Sequence, residues 1–332
     1  MSNGQNGRLT KNERREQARE EAKRAREAAK RKERTGKVLL QGGIIVAVIA
    51  AVAVVALIIV NSVGPKGPGP QNMASGGVVF ESNGSGGIQV ARTAGLADGA
   101  ERVAAETGAE IQIQAFVDFL CPICGRFERG ITAAEFQASG FPGTAADFQG
   151  NAAYIQTLIE QGIASFEVVP VAILDRYSLG TKYPTRAANA LACVADKEPN
   201  AALDYMALLF EHQPAEGTSG LDDNELISLA RQAGSSSAET ELCIRNQDFK
   251  NFIADNTNTA SSQAEFPNLI GDATFQGLGT PMVYVNGQRF TPQYDWSHTP
   301  SLRTFIQELL GEEYQESQTS APTPTPTPTA TP

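Results

Sequence analysis

Two cysteines, two residues apart, lie where a predicted strand ends and a predicted helix begins. Residues 111–120, IQIQAFVDFL, are rich in β-branched and aromatic side chains, which is typical of a strand buried between two layers of helices. Cys121, Pro122, Ile123 and Cys124 follow directly, and a proline in second place suits the first turn of a helix. The chain is therefore expected to fold as an α/β protein around this strand.

The position of the cysteine pair favours redox chemistry. The N-terminus of a helix presents unpaired N–H groups and the positive end of the helix dipole, which lower the pKa of a thiol at Cys121. Cys124 is one helical turn away and is able to close a small disulfide ring, as a dithiol that passes a disulfide to another protein requires. Half of a zinc site and a chance pair of structural thiols are the alternatives.

The first 60 residues divide into a basic stretch and an apolar one. Residues 8–37 contain 13 Lys/Arg and 6 Asp/Glu, with acid–base pairs four residues apart, which predicts a solvated, charged helix over 1–37. Nucleic-acid binding is the alternative for this stretch, but it has no aromatic residues to stack on bases. Residues 38–60 are 23 residues without a charge, which is enough to cross a membrane.

We interpret residues 38–60 as a retained, single-pass transmembrane signal anchor. A cleaved signal peptide is the alternative, but the apolar run is longer than the usual core of such a peptide. The basic side of an anchor stays in the cytoplasm, so everything after the anchor is expected to lie outside the cell. The charges agree with two environments. Residues 1–37 carry +13 and −6, which is net +7, and the whole chain carries −10, so the residues after 37 carry −17.

The next segments predict a linker followed by a β-α-β unit. Residues 61–107 combine a Gly/Pro-rich spacer with two short apolar runs that fit a small hairpin. After the CxxC helix, residues 136–150 have no clear assignment. Residues 152–162 have a helical pattern and residues 165–174 that of a second buried strand, which predicts a strand parallel to the first.

An all-helical insertion is predicted over about 178–265, because apolar residues recur there three or four positions apart. Cys193 and Cys243 both lie in this insertion beside apolar neighbours. An even cysteine count outside the membrane suggests bridging, so we predict a Cys193–Cys243 disulfide. Two unpaired buried thiols, or all four thiols on one zinc ion, are the alternatives.

The chain is predicted to return to the sheet near its end. Residues 277–290 fit a strand, an Asn-Gly turn and a second strand, and Pro281 opens the first of them, where a cis bond would serve a purpose. Residues 301–310 have the apolar stripe of a closing helix. Residues 313–332 form a Thr/Pro-rich tail that is expected to be disordered.

This order of elements resembles a DsbA-like thiol:disulfide oxidoreductase of the thioredoxin superfamily, of the actinobacterial, membrane-anchored type. The resemblance covers about residues 108–312, and its specific motifs are FLCPIC at 119–124 and Gly-Thr-Pro at 279–281, ahead of the hairpin. It implies a thioredoxin-like α/β fold with an all-helical insertion, preceded by a single N-terminal transmembrane helix.

The resemblance also implies a role for each site residue. Cys121 would be the exposed nucleophilic sulfur and Cys124 its buried partner. Pro281 would be cis and face the disulfide, while the backbone of Thr280 pairs with an incoming substrate strand. Asp118 would shuttle a proton to or from Cys124. The alternative for Asp118 is a partly exposed carboxylate at the end of a strand, or a local cap.

One residue departs from the pattern of the most oxidising relatives. They have His before the second cysteine, where its charge or hydrogen bonding favours the thiolate, whereas this chain has Ile123. The site is therefore expected to be a milder oxidant. The two histidines, His212 and His298, have no neighbouring nucleophile motif and are expected to be surface residues.

The implied activity is donation of a CxxC disulfide to exported proteins that carry free thiols. Turnover would need an oxidising partner, by analogy a quinone-linked membrane protein of the DsbB or VKOR type. No organic cofactor, metal or nucleic acid is expected. One alternative is an exported disulfide reductase or isomerase. An alternative of another class is a wall-tethered interaction or scaffold protein whose CxxC is not catalytic.

Overall fold

The computed structural model of the chain describes residues 68–97, 100–263 and 266–319. The predicted basic helix, the predicted transmembrane anchor and most of the Thr/Pro-rich tail lie outside these residues. Among the helices that are described, none is long and apolar enough to cross a membrane.

The described residues contain one six-stranded sheet. Its strands are β1 (Val78–Ser82), β2 (Ile88–Val90), β3 (Ile111–Val117), β4 (Ala164–Pro170), β5 (Met282–Val285) and β6 (Gln288–Phe290). Their order is β2-β1-β4-β3-β5-β6. β3 and β4 are parallel, as predicted from the β-α-β pattern, and every other pair of neighbours is antiparallel.

β3 is a central strand with one face fully buried and the other buried only towards its C-terminal end. Ile111, Ile113 and Ala115 point into the main hydrophobic core, while Phe116 points into a second core on the other face. β5 runs antiparallel to β3 with Phe116 opposite Met282. Residues that precede β5 therefore meet the residues that follow β3, which is where the CxxC motif begins.

Ten helices surround the sheet within the described ranges. They are α1 (Pro122–Arg129), α2 (Ala133–Ser139), α3 (Ala152–Glu160), α4 (Tyr183–Lys197), α5 (Ala202–Glu211), α6 (Asp223–Gln232), α7 (Ala238–Asn246), α8 (Lys250–Ser261), α9 (Pro267–Gly271) and α10 (Thr299–Thr319). Five of them, α4 to α8, form the helical insertion between β4 and β5, in agreement with the predicted all-helical segment.

A disulfide between Cys193 on α4 and Cys243 on α7 stabilises this insertion. Their Cα atoms are 5.8 Å apart, and both residues are buried. The pairing predicted from the cysteine count is therefore present, and it excludes both unpaired thiols and a four-cysteine zinc site. A closed loop of about 50 residues is expected to stabilise the fold by roughly 3–4 kcal/mol.

Three segments differ from the prediction. β4 ends at Pro170 rather than at 174, because β3 ends at Val117 and offers no partner beyond it. The unassigned residues 136–150 contain the second half of α2 and a short 3₁₀ turn at Ala145–Phe148, with irregular structure between and after them. α10 continues past the predicted end at 310 to Thr319, since residues 312–318 are rich in the good helix formers Glu and Gln. The prediction of a disordered tail from 313 is therefore wrong for residues 313–319.

Candidate active site

Cys121 is the N-cap residue of α1, and Pro122 takes the first helical position. Its backbone has φ −71° and ψ 114°, the extended conformation usual for an N-cap. Its carbonyl oxygen accepts the N–H of Gly125 at 3.2 Å, which is the first hydrogen bond of the helix. The strand-to-helix position predicted for this sulfur is therefore the position observed.

Thr280, the residue bonded to Pro281, lies against the Cys121 sulfur. The peptide bond between Thr280 and Pro281 is cis, and the Cys121 sulfur lies 3.1 Å from the Thr280 carbonyl oxygen, to which it donates a hydrogen bond when it is protonated. The contact follows from the sheet, since these two residues precede β5 and β5 pairs with β3. Three residues that the sequence singled out are thus brought together.

The structure contains the two cysteines of the CxxC motif as free thiols of very different accessibility. Cys121 keeps 6 % of its surface exposed and Cys124 keeps none. The expectation of an exposed sulfur at Cys121 is wrong in degree, because the segment before β5 covers part of it. Cys121 is nevertheless the more accessible sulfur of the pair.

The pKa values of the two thiols are pushed apart. The largest influence on the pKa of Cys121 is a hydrogen bond from the Cys124 thiol, which lowers it. Hydrogen bonds from the Thr280 side chain and from the N–H groups of Cys124 and Ile123 lower it as well. Together they outweigh burial, and the pKa of Cys121 falls to about 6. Burial raises the pKa of Cys124 well above its ordinary value. At neutral pH the reduced pair therefore holds one thiolate, on Cys121, and one thiol.

Asp118 is completely buried beneath the pair. Its carboxylate accepts the N–H of Leu120 and the N–H of Leu174, each at 2.9 Å. Burial raises its pKa to about 7, although these two hydrogen bonds oppose the rise. The partly exposed carboxylate considered as an alternative is thus wrong. After burial and the Cys121 sulfur, the backbone of Asp118 lowers the pKa of Cys124 and its carboxylate charge raises it.

The sequence did not single out two further residues: Gln213, which contacts the backbone of the CxxC motif, and Glu128, which is buried on α1. The side-chain amide of Gln213 donates to the carbonyl oxygens of Phe119 and Cys121 at 3.1 and 2.9 Å. Glu128 lies on α1 one turn beyond Cys124, is 5 % exposed, and has its pKa raised by burial to about 7. No local pattern in the sequence indicates Gln213.

The histidines are not part of this arrangement. His212 is exposed and follows α5. His298 is only partly buried, with its ring between Phe148 and Tyr294 and a hydrogen bond to Ser301. Within residues 68–97, 100–263 and 266–319, no cluster of three or more His, Cys, Asp or Glu is placed to hold a metal ion.

Comparison with known proteins gives one family and a set of solved structures. The model of the thioredoxin family matches residues 142–308, half of the chain, a range that begins after Cys124 and includes Thr280 and Pro281. No curated protein sequence matched the chain.

The similar structures include several from actinobacteria. The reduced disulfide bond oxidoreductase DsbG of Mycobacterium tuberculosis is 28% identical, with 62% of this chain and 81% of that chain covered and a TM-score of 0.43. Reduced DsbA of the same organism is 25% identical, with 71% and 92% covered and a TM-score of 0.44. The thiol-disulfide oxidoreductase MdbA of Corynebacterium diphtheriae is 20% identical, with 68% and 93% covered and a TM-score of 0.42.

Proposed function

Because this chain belongs to the thioredoxin family, we propose that it is a DsbA-like protein-disulfide oxidoreductase that donates a Cys121–Cys124 disulfide to exported proteins. The observation that carries the proposal is the asymmetry of the two thiols at the start of α1. Cys121 has a lowered pKa and contacts Thr280, while Cys124 is buried with a raised pKa. This is the arrangement in which one sulfur exchanges with a substrate and the other resolves the bond.

The lowered pKa of Cys121 favours the oxidising direction. A thiol with a pKa near 6 is about 90% ionised at pH 7, which stabilises the reduced pair about tenfold and makes its disulfide about 30 mV more oxidising. The side chain of Ile123 adds no charge to this stabilisation. The site is therefore proposed to be an oxidant of moderate strength.

The reaction consists of two exchanges. A substrate thiolate attacks the Cys121 sulfur, the Cys121–Cys124 bond breaks, and Cys124 leaves and takes up a proton. A second thiolate of the substrate then attacks the substrate sulfur bound to Cys121, and Cys121 leaves as a stabilised thiolate. The substrate loses two electrons and gains a disulfide, while the enzyme pair gains the two electrons.

Asp118 is proposed to exchange the proton of Cys124. Its pKa of about 7 allows it to hold or release a proton near neutral pH, and it interacts with Cys124 inside the protein. Water has no direct access to the Cys124 sulfur, because that residue is fully buried. A buried group of this pKa is the nearest route for the proton.

We also propose that the catalytic domain acts outside the cell on a membrane anchor at residues 38–60. Two observations support this location: the 23 uncharged residues of that segment and the buried Cys193–Cys243 disulfide, which is typical of oxidising compartments. Turnover then requires a membrane protein that accepts two electrons from the Cys121 and Cys124 thiols, of the quinone-linked DsbB or VKOR class.

The reduction potential of the Cys121–Cys124 pair tests the direction of transfer. Equilibration with a glutathione buffer is expected to give a value well above that of cytosolic thioredoxin, about −270 mV. A value near that of thioredoxin would instead favour an exported reductase. Refolding of reduced ribonuclease tests the activity itself, and Cys121→Ser should abolish that activity. Ser139→Ala, at an exposed position, is the control. If Cys121→Ser lowered the activity no more than Ser139→Ala does, the result would favour a scaffold protein.

A further inference from the structure

The connection between β3 and α1 is held by hydrogen bonds from two sides. On the inner side, the Asp118 carbonyl oxygen accepts the N–H of Cys121 at 3.0 Å, and the Asp118 carboxylate accepts the N–H of Leu120. On the other side, a single amide nitrogen of Gln213 donates to the carbonyl oxygens of Phe119 and Cys121. The carbonyl groups on both sides of Leu120 are thus fixed by one side chain of the helical insertion.

Gln213 is itself anchored at the end of α5. The Phe210 ring packs on the Phe119 ring with centroids 5.0 Å apart, and the Phe210 carbonyl oxygen accepts a hydrogen bond from Arg129 of α1 at 3.1 Å. The N–H of Gln213 donates to that same carbonyl at 3.4 Å. The amide therefore reaches the CxxC backbone from a base that is already packed against α1.

Gly125 leaves the space that this amide occupies. A Cβ atom at position 125 would overlap the side-chain oxygen of Gln213, and that oxygen is the nearest atom it would meet. Glycine in the first turns of a helix costs stability relative to alanine. The close approach of the Gln213 side chain explains why position 125 has a glycine rather than a residue with a Cβ atom.

The Cys121 carbonyl oxygen accepts two hydrogen bonds, one from Gly125 within α1 and one from Gln213. Together they fix the backbone of the N-cap residue and hence the direction of its sulfur. We propose that Gln213 is a positioning residue that holds the Cys121 sulfur over the N–H groups of Ile123 and Cys124, so that the helical insertion sets the reactivity of the dithiol. This inference deepens the proposed function and relies on it for the redox role of the pair.

Alkylation of Cys121 by iodoacetamide measures this positioning directly in the reduced full-length protein. Only Cys121 reacts rapidly, because Cys124 is buried and Cys193 and Cys243 are bonded to each other. Near pH 6, Gln213→Ala is expected to slow alkylation about threefold, since a misplaced sulfur loses part of the hydrogen bonding that keeps it ionised. Gln213→Glu, which keeps the shape but replaces the donor by an acceptor, should slow it at least as much.

Gly125→Ala separates positioning from general stability. The added methyl group should displace the Gln213 amide and slow alkylation, while the helix propensity of alanine keeps the unfolding midpoint at or above that of the parent. In the Gln213→Ala background, Gly125→Ala should have little further effect, because the group that it displaces is gone. Gln232→Ala, at an exposed position at the end of α6, is the matched control and should change nothing.

Two results would overturn the inference. One is an alkylation rate equal to that of the parent in folded Gln213→Ala and Gly125→Ala. The other is a set of effects that add fully in the double variant. If Gln213→Ala does not fold, the alkylation rate of Gly125→Ala alone tests the inference. A parent protein whose Cys121 reacts like an ordinary thiol would instead contradict the proposed function, so the two failures are distinguishable.

Discussion

The Cys121 sulfur lies 3.1 Å from the carbonyl oxygen of Thr280, although the two residues are 159 positions apart in the chain. The sheet explains the contact, because β5 is the antiparallel neighbour of β3 and begins where β3 ends. The same contact places the Thr280 side chain near the sulfur, where its hydrogen bond helps to lower the pKa of Cys121. The far end of the chain thus contributes to the chemistry of the CxxC motif.

Thr280→Val is expected to raise the pKa of Cys121, because valine keeps the shape of the side chain but cannot donate a hydrogen bond to the sulfur. The rate of iodoacetamide alkylation near pH 6 should fall about two- to threefold. Thr304→Val, at an exposed position on α10, is the control. An unchanged rate in Thr280→Val would show that the side chain does not stabilise the thiolate.

Features with a local cause could be predicted from the sequence. The apolar run of β3, the proline after Cys121 and the Asn-Gly pair of the β5–β6 turn each act on the few residues around them. Asn286 and Gly287 have φ of 47° and 76°, the positive values that such a turn requires. These patterns were therefore sufficient to place the CxxC motif at the start of a helix.

Features that depend on packing between distant segments could not be predicted. The burial of Asp118 arises because residues after β4 pass over it and Leu174 donates to its carboxylate. The hydrogen bonds of Gln213 join it to Phe119 and Cys121, which are 94 and 92 positions earlier in the chain. No local pattern in the sequence encodes such contacts. α2 follows a capping box at Thr132 and Glu135, a signal that is present in the sequence but is short and outside the core.

Asp118→Asn is expected to slow the step in which Cys124 gains or loses its proton by about 10²-fold near pH 7. Alkylation of Cys121 should not slow, since the variant removes a nearby negative charge. The reaction with a disulfide substrate can be followed by the fluorescence of Trp296, the only tryptophan in the chain, whose ring packs on Phe127 of α1.

The control for this variant is Asp204→Asn, an exposed carboxylate on α5. If Asp118 served only to hold Leu120 and Leu174, its replacement would lower stability and slow both reactions alike. A selective loss at the Cys124 step, with its pH dependence near 7 removed, is the result that the proton-transfer role requires.

Glu128 is expected to make the protein less stable as the pH rises. Burial raises its pKa from 4.5 to about 7, so between these values the folded state keeps a proton that the unfolded chain has released. Stability therefore falls as the pH rises through this window and is constant above it. Glu128→Gln should raise the free energy of unfolding by about 3 kcal/mol at about pH 8, and change it little at about pH 4.

Urea unfolding at the two pH values measures this effect. Glu160→Gln, at the exposed end of α3, is the control and should be neutral at both. An equal gain for Glu128→Gln at both pH values would mean that the carboxylate is not the destabilising group.

Ile123→His should convert the pair into a stronger oxidant. Residue 123 lies in the first turn of α1, and its N–H already donates to the Cys121 sulfur. A positively charged imidazole there would stabilise the thiolate further, and each tenfold stabilisation of the reduced form raises the potential by about 30 mV. The potential in a glutathione buffer and the alkylation rate near pH 6 should therefore rise together. Ile123→Ala separates charge from loss of the isoleucine: if it raised the potential as much as Ile123→His, charge would not be the cause.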